Sequence, residues 1–214
     1  MDRTSDMSRF YRPPKEHLLT PEGEIGNRCQ TAGRWLSERG LDAALLVQPV
    51  DVFYYSGTRQ DAHLLLTDRG MGRLMVRRDL ARAAAESPLE ACGLDGLSRL
   101  PALVADALGR PPRRLGLELD VLPVNRFDRY RALFPETETV DVGESILAQR
   151  SIKSEWELDI MRRAGRLARD VYGAADEFLA AGRTEIEAAG LMTAKAYAGG
   201  HQNMLRTRAF DAEM

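Results

Sequence analysis

Two helix starts written in the same short code constrain this chain more than any other feature. Ser154 with Glu157, and Thr184 with Glu187, each form a capping box. In that motif the hydroxyl accepts an orphan amide of the first turn while the glutamate reaches back to the cap. The first box predicts a long helix from Glu155, with Trp156, Ile160, Ala164, Leu167, Val171, Ala175 and Phe178 on one face and Gly182 as its stop. The second predicts a helix carrying Ile186, Leu191 and Ala194 that ends at Gly199-Gly200. Two capped helices in succession mark the opening of a new structural unit.

The chain before them reads as alternating helices and strands. Residues 1–24, with Pro13-Pro14 and Pro21 among polar residues, read as an extended arm. A helix is expected over 25–39, stopped by Gly40, and Leu41 to Gln48 is an apolar run suited to a strand buried on both faces. Tyr54, Tyr55 and Gly57 read as an aromatic turn. Residues 63–67 and 73–77 read as a hairpin with Gly70 and Gly72 in its loop. Helices are expected over 78–86, 97–108 and from Pro123 to about Phe134, strands over 115–119 and 139–142, and a short helix ending by Arg150. The pattern predicts an α/β fold, a mixed sheet flanked by helices on both faces.

Composition excludes several classes. With 214 residues, 44% hydrophobic and 29% charged, the chain is globular rather than disordered or fibrous. A net charge of −2 gives no pull toward nucleic acid or an acidic membrane. Cys29, in an expected helix, and Cys92, beside a turn glycine, have no metal or redox spacing and suit reduced thiols. The charged N-terminus has no signal-peptide core and no apolar run is long enough to span a bilayer, so a soluble, cytoplasmic protein is expected. There is no H-E-x-x-H, no G-x-S-x-G and no phosphate loop. His17, His63 and His201 read as isolated histidines, and the carboxylates as solvated helix faces rather than a metal cage.

Three segments carry a resemblance. The run R-S-I-K-S-E-W-E-L-D-I-M-R-R-A from Arg150 resembles the junction between the two domains of the creatinase / prolidase / Xaa-Pro aminopeptidase family of metallopeptidases. The run from Trp35 to Gly57 resembles the opening of that family's N-terminal domain. The segment G-H-Q-N-M-L-R-T-R-A-F from Gly200 resembles the entry to the first catalytic-domain strand in an aminopeptidase-like branch. The resemblance implies a creatinase-like N-terminal domain over 25–149 and, over 150–214, the first two helices of an incomplete pita-bread catalytic domain.

What the resemblance implies for function follows residue by residue. Tyr54 and Tyr55 either pack the domain rim or face a ligand in a neighbouring subunit's active site; His201, Arg206 and Arg208 lie toward the cleft, where the arginines pair with substrate or with acidic groups nearby, or else merely flank an edge strand. The family holds two divalent metal ions, manganese, cobalt or zinc, with ligands that would lie beyond Met214, where they would activate a bridging water. No cofactor, metal site or catalytic residue is therefore expected in this chain itself. The expectation is a truncated member carrying the dimerisation and substrate-gating part of an enzyme that hydrolyses Xaa-Pro peptide bonds. A creatinase-like hydrolase or lyase acting on a small non-peptide molecule and a non-enzymatic interaction module stay open beside it. A homodimer is expected, both from the resemblance and from the uncovered apolar faces of the two capped helices. Folding back, pairing between chains and poor order are the three ways those faces can resolve.

Overall fold

Ala43–Leu46 is apolar at every position and buried on both faces, so it takes the middle of a sheet. The structure, a computed structural model, describes residues 19–202 together with Thr207 and Arg208. In chain order the strands are β1 (Ala43–Leu46), β2 (Ala62–Thr67), β3 (Gly72–Val76), β4 (Glu90–Gly93), β5 (Arg114–Leu117) and β6 (Glu138–Asp141). The helices are α1 (Glu22–Glu38), α2 (Pro49–Ser56), α3 (Leu80–Glu86), α4 (Leu100–Leu108), α5 (Val124–Leu133), α6 (Gly143–Ser151), α7 (Glu155–Tyr172), α8 (Ala175–Phe178) and α9 (Glu185–Ala198).

The six strands lie in the order β4-β3-β2-β1-β5-β6. The β1–β2 and β2–β3 pairs are antiparallel, and β1–β5, β5–β6 and β3–β4 are parallel. This is the mixed sheet expected from the alternation of elements. Its two faces follow the period of two along each strand. Ala44, Leu46, Leu64, Leu66, Leu74 and Val76 pack with residues of α1, α2, α3 and α6. Ala43, Leu45, Leu65, Met75, Leu115 and Leu117 pack with α4 and α5 on the other face. There His63 turns its Nε2 to the Tyr130 hydroxyl at 2.7 Å, and burial pushes its pKa down to about 4.

One position fixes how closely α1 lies on the hairpin. A Cβ added at Gly33 would stand 2.5 Å from the Gly70 amide nitrogen, so the helix rests directly on the loop backbone at this residue. Gly70 itself has φ +74, a left-handed turn conformation suited to glycine.

Several expectations need correction. Helix α1 begins at Glu22, inside the segment read as an arm, because Pro21 cannot extend a helix backwards but serves as its N-cap, with Glu22 and Glu24 in the first turn. The rest of that arm, residues 1–18, lies outside the described residues. Cys92 sits in a sixth strand, β4, rather than beside a turn. Tyr54 and Tyr55 lie on helix α2, and Gly57, at φ 78, is its left-handed C-cap. The helix from Glu155 stops at Tyr172, not at Gly182, because Gly173 ends it and α8 makes a separate turn. Pro123 is the N-cap of α5 rather than a residue of its first turn.

Both capping boxes form as expected, Ser154 with Glu157 and Thr184 with Glu187. The helices they open pack on each other: a Cβ at Gly199 would collide with the Leu167 side chain of α7, and Lys195 of α9 pairs with Glu177 of α8 at 3.0 Å. Val171, Ala174 and Phe178 are buried between them. Cover is incomplete, since Ile186 is 84% exposed and Tyr172 and Leu179 are each 68% exposed. No helix among the described residues is long and apolar enough to cross a membrane.

Candidate functional site

The strand order creates one special place. From β1 the chain passes to β2 on one side, and from β5 it passes to β6 on the other, so the loops leaving these two parallel neighbours diverge. Divergence at the carboxyl ends of adjacent parallel strands opens a crevice where α/β sheets commonly bind ligands. Here that crevice is lined by acids, Asp51 following β1 and Glu118 and Asp120 following β5.

Local structure holds each acid in position. Gln48 caps α2, its Oε1 accepting from the amides of Val50 at 2.6 Å and Asp51 at 3.0 Å, which sets Asp51 in the first turn of the helix. The Asp51 side chain is fully buried and accepts from Arg150 Nη1 at 2.5 Å and from Arg208 Nε at 2.6 Å. Arg208 continues to Asp120 through both terminal nitrogens, Nη2 meeting Oδ1 at 3.1 Å. Glu118 is buried as well, and its Oε2 accepts from the amides of Val47 at 2.7 Å and Gln48 at 3.0 Å. Burial, then the neighbouring Asp51 carboxylate, raises the Glu118 pKa well above the usual carboxylate range. For Arg208 burial pulls the other way, and the Asp120 and Asp51 carboxylates outweigh it and hold the guanidinium charged.

A second polar cluster lies beside the first. Arg28 of α1 donates to the Tyr54 carbonyl at 2.7 Å and pairs with Glu24 at 2.9 Å and Glu157 at 3.1 Å. Its guanidinium carbon stands 4.1 Å from the Tyr54 ring centre and 5.5 Å from that of Trp156. Gln149 ties the layer together, its Oε1 accepting from the Tyr55 hydroxyl and the Trp35 indole at 2.9 Å each and its Nε2 donating to the Arg28 carbonyl at 3.0 Å. Of these residues Glu24, Arg28, Tyr54, Gln149 and Glu157 line a groove of about 290 Å³ together with Lys153.

The residues expected from sequence distribute unevenly over this arrangement. Arg208 joins the acidic crevice, and Tyr54 sits next to it with Arg150 at 5.6 Å from its ring centre. Tyr55 is fully buried in the packing against Gln149, and His201 lies exposed beyond α9. Arg206 lies outside the described residues. The reading of the carboxylates as solvated helix faces fails for Asp51, Glu118 and Glu157, which are drawn in by arginines and amides from distant parts of the chain. Their one sequence signal is position: each of the acids 51, 118 and 120 follows closely on a buried apolar run.

These acids do not fit a metal ion. Among the described residues no group of three or more His, Cys, Asp or Glu side chains is placed to hold one. The acids that gather here are committed to two guanidinium groups and two backbone amides.

Fold and crevice together define an α/β domain whose polar centre is built for holding chain segments together. A model of the Creatinase/Prolidase N-terminal domain matches residues 28–152, more than half of the sequence. The chain belongs to that family. An uncharacterized peptidase of Staphylococcus haemolyticus is 29% identical over 166 residues, 75% of this chain and 47% of that protein. The creatinase of a Bacillus species is 35% identical over 165 residues, 71% of this chain and 39% of that enzyme. The chain thus spans less than half the length of these curated relatives.

Among solved structures, the Xaa-Pro dipeptidase of Bacillus anthracis superposes with a TM-score of 0.73 at 20% identity, covering 86% of this chain and 51% of that one. The N-terminal domain of a cytoplasmic peptidase from Mycobacterium tuberculosis gives a TM-score of 0.51 at 25% identity, with 57% of this chain and 98% of that chain covered. The fold is that of the creatinase-type N-terminal domain.

Proposed function

We propose that this chain is the front part of a Xaa-Pro peptidase, carrying the domain that gates substrate and makes dimer contacts rather than the groups that cut the bond. In this reading residues 1–24 are an N-terminal arm, 25–149 the accessory domain, and 150–214 the start of a pita-bread catalytic domain. The observation that carries it is the reach of the likeness. An isolated N-terminal domain accounts for 57% of the chain, whereas a whole Xaa-Pro dipeptidase accounts for 86%, so the likeness runs on into the capped helices.

The partition gives the polar clusters a role. Arg150 at the end of α6, on Asp51, and Glu157 in the first turn of α7, on Arg28, hold the junction to the sheet domain, so the two parts would move together around a cleft formed by the longer enzyme. Two divalent metals, held by residues that this chain does not supply, would provide the hydrolytic chemistry. The uncovered side chains of Tyr172, Leu179 and Ile186 favour a homodimer or cover by further chain. A soluble cytoplasmic enzyme acting on small peptides is the setting this reading implies.

A second reading has its own support. The 35% identity to a protein named creatinase favours a parent that acts on a small non-peptide molecule. A non-enzymatic interaction module would share the same accessory domain. Elemental analysis of the purified chain after incubation with manganese, cobalt or zinc, run beside turnover of a Xaa-Pro dipeptide, tests the proposal. The expected result is no stoichiometric metal and no turnover. One bound metal per chain with turnover would refute it.

A further inference from the structure

We propose that the crevice at the carboxyl ends of β1 and β5 is a guanidinium-binding site, filled in this chain by its own Arg208 acting as a latch for the segment after α9. The argument begins with what the crevice offers. Asp51 is buried completely and Asp120 is partly open, and the two carboxylates lie where one planar group can reach both. Arg208 uses Nε on Asp51 and both terminal nitrogens on Asp120, so three donors of one plane are spent across two acids. An ammonium group carries a single point of charge and cannot span them in this manner.

Two further features make this a built site. Glu118 is buried at the floor of the crevice beside Asp51, its Oε2 fixed by the amides of Val47 and Gln48, so the acid that Arg208 meets is itself held from below. Gln48, which caps α2 through its Oε1, also donates from Nε2 to the Thr207 carbonyl at 3.4 Å, so the backbone leading into Arg208 is held by the same residue that positions Asp51. Thr207 and Arg208 are thus seated in the place where an α/β sheet ordinarily takes a ligand.

The consequence is competition. A soluble guanidinium compound, or an arginine side chain of a peptide, would bind the vacated crevice and would release the segment by the same free energy with which Arg208 opposes its binding. Whatever the longer chain does, the seating of Thr207 and Arg208 would respond to occupancy of this site. This extends the proposed function without depending on it, since Asp51, Asp120 and Arg208 are all described residues.

The test uses Arg208→Ala with millimolar methylguanidinium as probe and methylammonium at the same concentration as the control for charge and ionic strength. Methylguanidinium is expected to raise the melting temperature of Arg208→Ala and to bind it at least about tenfold more tightly than the wild-type chain, whose site is filled. Methylammonium is expected to do neither, and adding Asp120→Asn to Arg208→Ala is expected to abolish the response. Equal responses of wild type and variant, equal effects of the two cations, or no response of the variant would overturn the proposal. Should Arg208→Ala fail to fold, Arg208→Lys, which keeps the charge but loses the fork, is read in the same way.

Discussion

Asp51→Ala is expected to destabilise the chain by about 3 kcal/mol, measured by urea unfolding at neutral pH. Removing one partner of a buried ion pair costs roughly 3–5 kcal/mol because the remaining charge stays desolvated. Here one carboxylate serves two arginines, and their exposure decides the size of the effect. The Arg150 side chain is 25% exposed and recovers part of its hydration, and Arg208, at 7%, retains Asp120. Those escapes place the loss near the lower end of the range. Asp51 also stands in the first turn of α2, where a negative charge complements the helix dipole, so the variant loses that contribution too. A loss below about 1 kcal/mol, the scale of exposed pairs, would mean that the network is solvated and carries no structural role.

Glu118→Gln is expected to stabilise the chain at pH 8 and to leave it nearly unchanged below about pH 4. The sign follows from linkage. The folded pKa of Glu118 lies well above its ordinary value of 4.5. As pH rises above 4.5 the unfolded chain releases this proton while the folded chain holds it, so stability falls until the pH passes the folded pKa. Glutamine removes that slope and preserves the contacts, its carbonyl accepting from the Val47 and Gln48 amides and its amide donating toward Asp51. Each pH unit across the window is worth about 1.4 kcal/mol, and about 2–4 °C of melting temperature per kcal/mol is typical for a chain of this size.

His63 acts in the opposite direction. Its folded pKa of about 4 lies below its ordinary 6.5, so it costs stability as pH falls between those values. Because His63 is present in both proteins, the difference between wild type and Glu118→Gln isolates the glutamate. A difference in melting temperature that does not grow between pH 4 and pH 8 would show that Glu118 ionises normally.

How much of this was legible in the sequence depends on the range of the forces involved. The two capping boxes, the buried run of β1, the hairpin and the glycine stops at Gly40, Gly109 and Gly199 depend on residues a few positions apart, and each took its expected form; Gly182 did not serve as a stop because Gly173 ends α7 first. Strand β4 was missed because it is four residues long, half-exposed and paired on one side alone. The turn glycine at 57 was read correctly, but Pro49 and the Gln48 cap convert the residues before it into a helix, and Tyr55 becomes packing rather than rim.

The polar centre was the least legible part. Arg150 and Arg208 entered through the resemblance, yet nothing local distinguishes Asp51 or Glu118 from a carboxylate on a solvated helix. Their meaning comes from β1 and β5 lying side by side, which is a property of the topology. Acids placed just beyond two buried strands were the available clue.

Native-state hydrogen exchange tests most directly the central claim, that a self-sufficient sheet domain is joined to the opening helices of a unit completed elsewhere. The account predicts that amides of β1, β2 and β5 exchange only through global unfolding. Amides of α9, a helix with no buried residue, should exchange at least on the order of a hundredfold faster through local opening. Protection of α9 equal to that of β1 would contradict the account and make the whole chain one cooperative fold.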